Sequence, residues 1–262
     1  MSDLYKSLFD LSGTAAFITG ASSGLGYQFS RTLAKAGCFI IAAARREKEL
    51  FQLCNEIERE NGKAIPIKLD VSDTKSIDNA ITKAIDIVGK INILINNAGI
   101  SALTPISHND TQLWDKHFTV NTRGAWLLIQ AFSYHMIQRK IQGSIINVAS
   151  INGDQSPYYQ ASAYCASKAA LIHLTKQLVG ELSPHKIRIN AIIPGLFYTD
   201  MTKNKINSTP DKFSSKIPLG FVAEPSDLDA TILLLSSNKA SRYITGTCFT
   251  VDGGVSANCN VV

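Results

Sequence analysis

The 262-residue chain is predicted to fold as a single doubly wound α/β domain, with about seven parallel strands and helices on both faces. Three observations predict this. Short runs that are apolar throughout alternate with longer stretches of helical periodicity. Strands without polar alternation belong to a parallel sheet covered on both sides, wound by right-handed crossovers. No linker, repeat or low-complexity stretch divides the chain.

In order, Ala15–Thr19 is the first apolar run, followed by a helical stretch over 24–36 that Gly37 stops. Phe39–Ala44 is the second strand, and 47–60 a polar-rich helix closed by Asn61-Gly62. Residues 64–69 form the third strand. Ile77, Ile81, Ile85 and Val88 then recur at helical spacing up to Gly89. After a fourth strand over 91–95, a long helix carries Trp114, Phe118, Ile129, Phe132 and Met136. A fifth strand over 144–148 leads to a helix over 163–182, with Leu171, Leu174 and Leu178 on one stripe. The sixth strand is 187–193, a short helix follows over 227–236, and 247–251 is the seventh strand. Residues 195–220 break this rhythm. They are polar, contain Pro210 and Pro218, and read as a loop long enough to be a lid or binding element.

Composition excludes several function classes. Apolar residues make up 45% and charged residues 18%, too apolar for disorder. No apolar run approaches the ~20 residues that span a bilayer, and residues 1–11 hold no leader core. Cys38, Cys54, Cys165, Cys248 and Cys259 form no CxxC pair, and read as reduced thiols of a cytoplasmic protein. The net charge of +5 is spread out, with no dense basic stripe for nucleic acid. His108, His117, His135, His173 and His185 lack metal-ligand spacing, so no metal is expected.

Two regions carry chemistry. Thr19-Gly20-Ala21-Ser22-Ser23-Gly24-Leu25-Gly26 follows the first strand and opens the first helix. Its glycines are spaced GxxxGxG rather than GxGxxG, but the physics is shared. A turn without Cβ atoms brings backbone N–H groups to a pyrophosphate at a helix N-terminus. The second strand ends at Ala43-Ala44-Arg45-Arg46, where an acid would hold a ribose 2′-OH and an arginine a 2′-phosphate. Arg45 therefore points to NADP(H) over NAD(H).

Tyr164 and Lys168 lie four residues apart on one helix face. A tyrosine with a reference pKa of about 10 is a poor base near neutrality, and a nearby ammonium lowers that value. Alone, such a pair is ordinary. Ser150 ends the fifth strand just before this helix, and so meets Tyr164 at the sheet edge that also carries the glycine turn. A hydroxyl there can hydrogen-bond a reacting oxygen.

Over essentially its whole length the chain resembles the short-chain dehydrogenases/reductases, which have a Rossmann-type fold. The resemblance rests on motifs in the family's order: the glycine turn, Leu69-Asp70-Val71, Asn96-Asn97-Ala98-Gly99, Asn121, Ser150, Tyr164-x-x-x-Lys168, Pro194-Gly195 with Thr199, and Asp252-Gly253-Gly254. It implies that Tyr164 is general acid in reduction and base in oxidation. Lys168 would bind the nicotinamide ribose and depress the tyrosine pKa. Ser150 would hold the substrate oxygen, and Asn121 would place a water in a relay to Lys168. Gly20, Ser22, Ser23, Gly24, Leu25 and Gly26 would line the pyrophosphate. Asp70 and Val71 would lie by the adenine, and Asn97, Ala98 and Gly99 on the ribose side. Ile193 and Thr199 would hold the carboxamide, and residues after Gly195 would form a mobile substrate loop. The family also implies a homotetramer, which the apolar stretch Trp126-Leu127-Leu128-Ile129 permits.

Two features depart from the family pattern. Asn147-Val148-Ala149-Ser150 carries one serine where many relatives have two, and the Ser150–Tyr164 segment is one residue longer. The extra residue falls in the 154–160 loop, which contains Pro157, Tyr158 and Tyr159 and could reshape the pocket; Ser156 and Ser162 are alternative substrate serines. Substrate identity stays open between a 3-oxoacyl thioester, handed over by a carrier protein, and a sugar acid or polyol. A catalytically inactive nucleotide-binding sensor on the same fold is the alternative from a different class.

Overall fold

The computed structural model describes residues 7–108, 110–155 and 160–257. Its sheet has seven parallel strands in the order β3-β2-β1-β4-β5-β6-β7. They are β1 (Ala15–Thr19), β2 (Phe39–Ala44), β3 (Lys63–Lys68), β4 (Ile93–Asn96), β5 (Gly143–Val148), β6 (Ile187–Pro194) and β7 (Cys248–Val251). The main helices are α1 (Gly24–Lys35), α2 (Glu47–Arg59), α3 (Thr74–Val88), α4 (Thr111–Phe118), α5 (Gly124–Gln138), α6 (Ser162–Gln177) and α7 (Asp229–Ser236). The chain starts at β1 in the middle, winds out to β3, and returns to lay β4 against the other side of β1. That reversal opens a crevice beyond the carboxyl ends of β1 and β4, the usual ligand position in such sheets.

Alternation along the strands feeds two cores. Ala16 and Ile18 of β1 pack with Phe29 and Leu33 of α1, Leu50 and Leu53 of α2, and Ile232 of α7. Their neighbours Ala15 and Phe17 face the other way, onto Ile77 and Ile81 of α3 and Leu128 and Phe132 of α5. The Phe17 and Phe132 rings sit 5.0 Å apart. Every residue of β1 is therefore buried, which is why the run reads as apolar throughout.

Three expectations need correcting. The long helix around Trp114–Met136 is not uniform: α4 and α5 are joined by a π-helical turn, Thr119–Arg123, in which the Gly124 N–H reaches the Thr119 carbonyl. Apolar periodicity barely registers one wider turn. The helix expected over 163–182 ends at Gln177 and resumes as the short Val179–Leu182. The 195–220 segment holds two short helices, Lys203–Ser208 and Pro210–Ser214, anchored by buried Phe197, Ile206, Phe213 and Ile217. No helix among the described residues is long and apolar enough to cross a membrane.

Candidate active site

A cleft of about 510 Å³ lies at the carboxyl edge of the sheet, walled by the segments that follow β1 to β6. Gly20, Ser22, Ser23, Gly24 and Leu25 form its first wall. Gly20 and Gly24 take φ of +68° and +56°, which side chains rarely adopt. Gly26 is different, because it is a packing glycine behind the wall. A Cβ there would stand 2.4 Å from Asn97 Nδ2 and 2.6 Å from the Gly20 carbonyl. Asn97 Nδ2 donates to the carbonyls of Thr19 (2.9 Å) and Gly20 (3.3 Å), and the Asn97 and Ala98 N–H groups both donate to Thr19 Oγ1 at 2.9 Å. The end of β4 is thus bonded directly to the glycine turn. The N-terminus of α1 is left open: Ser23 makes no side-chain cap bond, and no acid stands in the first turn. By contrast, Asp73 and Asp110 cap α3 and α4. Open N–H groups and the helix dipole give the α1 terminus a chemistry suited to an anion.

At the end of β2, Arg45 and Arg46 are both exposed on the cleft. Arg46 Nη2 donates to Ser22 Oγ (3.0 Å) and Ser23 Oγ (2.6 Å), so this guanidinium leans over the glycine turn. Arg45 lies towards Asp70. Asp70 Oδ1 accepts from the Ser72 hydroxyl (2.6 Å) and N–H (2.9 Å). The Ser72 hydroxyl bond, with help from the Arg45 charge, holds the Asp70 carboxyl below its usual range despite partial burial. Asp70, Val71, Asn97, Ala98 and Gly99 complete this half of the cleft.

The other half holds Ser150, Tyr164, Lys168 and Thr199. The Ser150 hydroxyl stands close enough to the Tyr164 phenol to act on its pKa. It also accepts the Asn152 N–H at 3.2 Å, capping the short helix Ile151–Asp154. Burial pushes the Tyr164 pKa up, with Ser150 opposing it. The net direction is opposite to the lowering expected from Lys168. Burial decides this direction, and the Lys168 ammonium donates to the Val148 carbonyl at 2.7 Å. Lys168 is 4% exposed, and burial pulls its pKa down to about 8. A Cβ on Gly99 would sit 3.4 Å from Lys168 Nζ and 3.2 Å from Asn121 Oδ1, so both groups close on one point of the wall.

Asn121 sits in the π turn, and its side chain is fully engaged away from the cleft. Oδ1 accepts the Ile100 N–H (2.8 Å), while Nδ2 donates to the Ile100 carbonyl (3.0 Å) and Ser167 Oγ (2.9 Å). Ile193 is likewise not a wall side chain. It is 1% exposed among Ala149, Ile151 and Ile172, and Pro194 and Gly195 line the cleft in its place. Ser156, Pro157, Tyr158 and Tyr159 lie outside the described residues. Ser162 is exposed at the start of α6. Among the described residues no group of three His, Cys, Asp or Glu could hold a metal ion.

A model of the short chain dehydrogenases matches residues 14–210. The chain belongs to the short-chain dehydrogenase family. It is an oxidoreductase of CH–OH and C=O groups. The 3-oxoacyl-(acyl-carrier-protein) reductase of Thermotoga maritima is 35% identical over 245 residues, covering 94% of this chain and 98% of that protein. A galactitol 2-dehydrogenase (L-tagatose-forming) of Cereibacter sphaeroides is 34% identical over 257 residues, covering 95% and 98%. The crystal structure of a gluconate 5-dehydrogenase from Burkholderia cenocepacia, in complex with NADP and tartrate, superposes with a TM-score of 0.91 at 30% identity, covering 97% of this chain and 99% of that one.

Sequence reasoning gave no role to three residues of this short-chain dehydrogenase site. Arg46, rather than Arg45, contacts the serines of the glycine turn; two adjacent arginines carry no signal of which way each points. Ser167 accepts from Asn121 and donates to the Tyr164 carbonyl at 2.7 Å, joining the π turn to α6. His117 packs edge-on to the Tyr164 ring, with centroids 6.4 Å apart.

Proposed function

We propose that this chain is an NADP(H)-dependent oxidoreductase that interconverts a carbonyl and a secondary alcohol, with a 3-oxoacyl thioester or related keto compound as its substrate. One observation carries the reading: Ser150, Tyr164 and Lys168 share a single cleft with an uncapped helix N-terminus and two arginines. The residues fit a 2′-phosphorylated dinucleotide. The glycine turn and α1 N–H groups suit a pyrophosphate, and Arg45, Arg46 and Ser22 supply donors where an acid would repel a 2′-phosphate. NADP bound in the related gluconate 5-dehydrogenase supports the same choice.

When bound, NADP(H) supplies or accepts the hydride. The chain's own groups handle binding and the proton. Ser150 holds the substrate oxygen by its hydroxyl. Tyr164 gives its phenol proton to that oxygen as the carbonyl is reduced, or takes it back in oxidation. A phenol pKa held up by burial keeps Tyr164 protonated through neutral pH, which favours reduction there and moves oxidation to alkaline pH. Lys168 keeps two N–H bonds free of its bond to Val148 for ribose hydroxyls. The backbone carbonyl of Asn121 holds the relay water. Asp70 and Val71 flank the adenine, and Asn97, Ala98 and Gly99 the ribose. The Ile193 backbone and Thr199 hydroxyl take the carboxamide, with residues 195–220 closing the substrate side. A homotetramer belongs to the same reading, supported by exposed Trp114, Trp126 and Tyr134 on α4 and α5. Light scattering on the purified protein tests it.

NADPH consumption against acetoacetyl thioesters and keto-sugar acids tests the substrate. Faster thioester reduction is expected; a clear preference for keto-sugar acids, the class of the gluconate 5-dehydrogenase relative, would replace that assignment. Arg45→Ala and Arg46→Ala should each raise the NADPH Kd about ten- to hundredfold, the worth of a charge-assisted hydrogen bond, with NADH little changed. Equal weakening of both cofactors would remove the 2′-phosphate role.

A further inference from the structure

We propose that His117 is the positioning residue of Tyr164, a neutral imidazole that clamps, at Ala102, the segment continuing from the cleft-lining Ile100 and sets the tyrosine ring between that segment and Ser150. The inference rests on the reading of Tyr164 as proton donor. His117 belongs to α4, is 0% exposed, and uses both ring nitrogens. Nδ1 lies 2.8 Å from the Leu113 carbonyl, and Nε2 lies 3.2 Å from the Ala102 nitrogen. A carbonyl can only accept and a backbone N–H can only donate. The partners therefore fix the tautomer: Nδ1 carries the proton and Nε2 offers its lone pair.

The clamp acts on a segment held at alternate positions. Asn121 grips Ile100 through both its N–H and its carbonyl, His117 grips the Ala102 N–H, and the Thr104 N–H donates to the Gln160 carbonyl at 2.6 Å. Ile100 lines the cleft, and Gln160 leads into α6, which carries Tyr164. Without the middle bond, the segment between residues 100 and 104 keeps only its two outer anchors and the Ala102 N–H loses its acceptor. His117 also touches the catalytic ring itself, at 70° to it. Edge-to-face ring pairs are favourable and directional, so the imidazole restricts the swing of the phenol away from Ser150. One side chain thus fixes this segment through its nitrogens and the proton donor through its ring.

The two functions separate in two variants. His117→Gln can keep an acceptor for Ala102 but has no ring; its kcat should fall about tenfold or more, since small misplacements of reacting groups cost that much, with substrate KM near wild type. His117→Phe keeps a ring against Tyr164 but loses both hydrogen bonds; its substrate KM should rise about fivefold or more as the segment relaxes, with kcat less affected. NADPH Kd, followed by fluorescence, should stay within about twofold in both, since His117 does not line the cleft. If only one variant folds, its own split decides. Wild-type kcat and KM in the folded variants would overturn the proposal. So would parallel loss of kcat, KM and cofactor affinity, or failure of both variants to fold, because His117 would then be a core residue only. Tyr164→Phe is measured alongside. If that variant keeps turnover, the proton-donor reading fails; if it is inactive while the His117 variants match wild type, only the positioning role fails.

Discussion

Replacing Tyr164 with phenylalanine should abolish nearly all turnover, by about a thousandfold or more, while NADPH binds as in the wild type. A positioned general acid contributes roughly 10²–10⁴-fold, and the phenol is the group whose hydroxyl meets Ser150 in the cleft. The substitution removes one oxygen and leaves the ring packed edge-on against His117. The glycine turn, the arginines and Lys168 are untouched, so cofactor titration should superpose on that of the wild type. Loss of cofactor binding together with turnover would mean that the phenol holds the nucleotide rather than the proton.

Lys168→Met should lose about a hundredfold or more in turnover and yet leave the free protein about as stable at neutral pH. The ammonium is buried, donates to the Val148 carbonyl, and has its pKa pulled down to about 8 from 10.5. A shift of that size makes the folded lysine unfavourable by about 3 kcal/mol while it is charged. Methionine removes that penalty but leaves the Val148 carbonyl without its donor, at about 1–3 kcal/mol. The two effects offset. Catalysis has no such compensation under the proposed mechanism, because the cation assigned there to the ribose hydroxyls is gone.

The same shift gives a signed pH effect. Below pH 8 the lysine is charged in both folded and unfolded chains. Between about 8 and 10.5 the folded lysine is neutral while the unfolded one still holds its proton. Unfolding then takes up a proton, so stability rises with pH. Denaturant curves on either side of pH 8 should show the wild type gaining on Lys168→Met as pH rises. A difference that stays constant would mean that Lys168 is not desolvated as its burial implies.

The inner strands were legible because they are buried along their whole length: β1, β4, β5 and β6 at every residue, and β2 at all but its first, so their sequences stay predominantly apolar. β1 and β2 were read to the residue, and the others to within one or two at their ends. The π turn was not legible, because one extra residue in a helical turn leaves the apolar spacing almost unchanged. Ser150, Tyr164 and Lys168 were found as a set because a strand end and the following helix must meet at the same sheet edge. Arg46 and His117 were missed for the opposite reason. Their significance lies in what the side chains touch, Ser22 and Ser23 in one case and Ala102 and Tyr164 in the other, across 15 to 47 residues of chain. The upward direction of the Tyr164 pKa was not legible, because helix spacing brings Lys168 near but does not reveal the burial that pushes the phenol up.

The most direct measurement follows a deuterium. NADPH carrying deuterium at the transferable position of its nicotinamide is mixed with a keto substrate and either the wild type or Tyr164→Phe, and the alcohol is examined by mass spectrometry. The account predicts one deuterium on the carbinol carbon with the wild type, and almost no product from a Tyr164→Phe protein that still binds NADPH. Equal amounts of labelled alcohol from both proteins, or alcohol without the label, would contradict it.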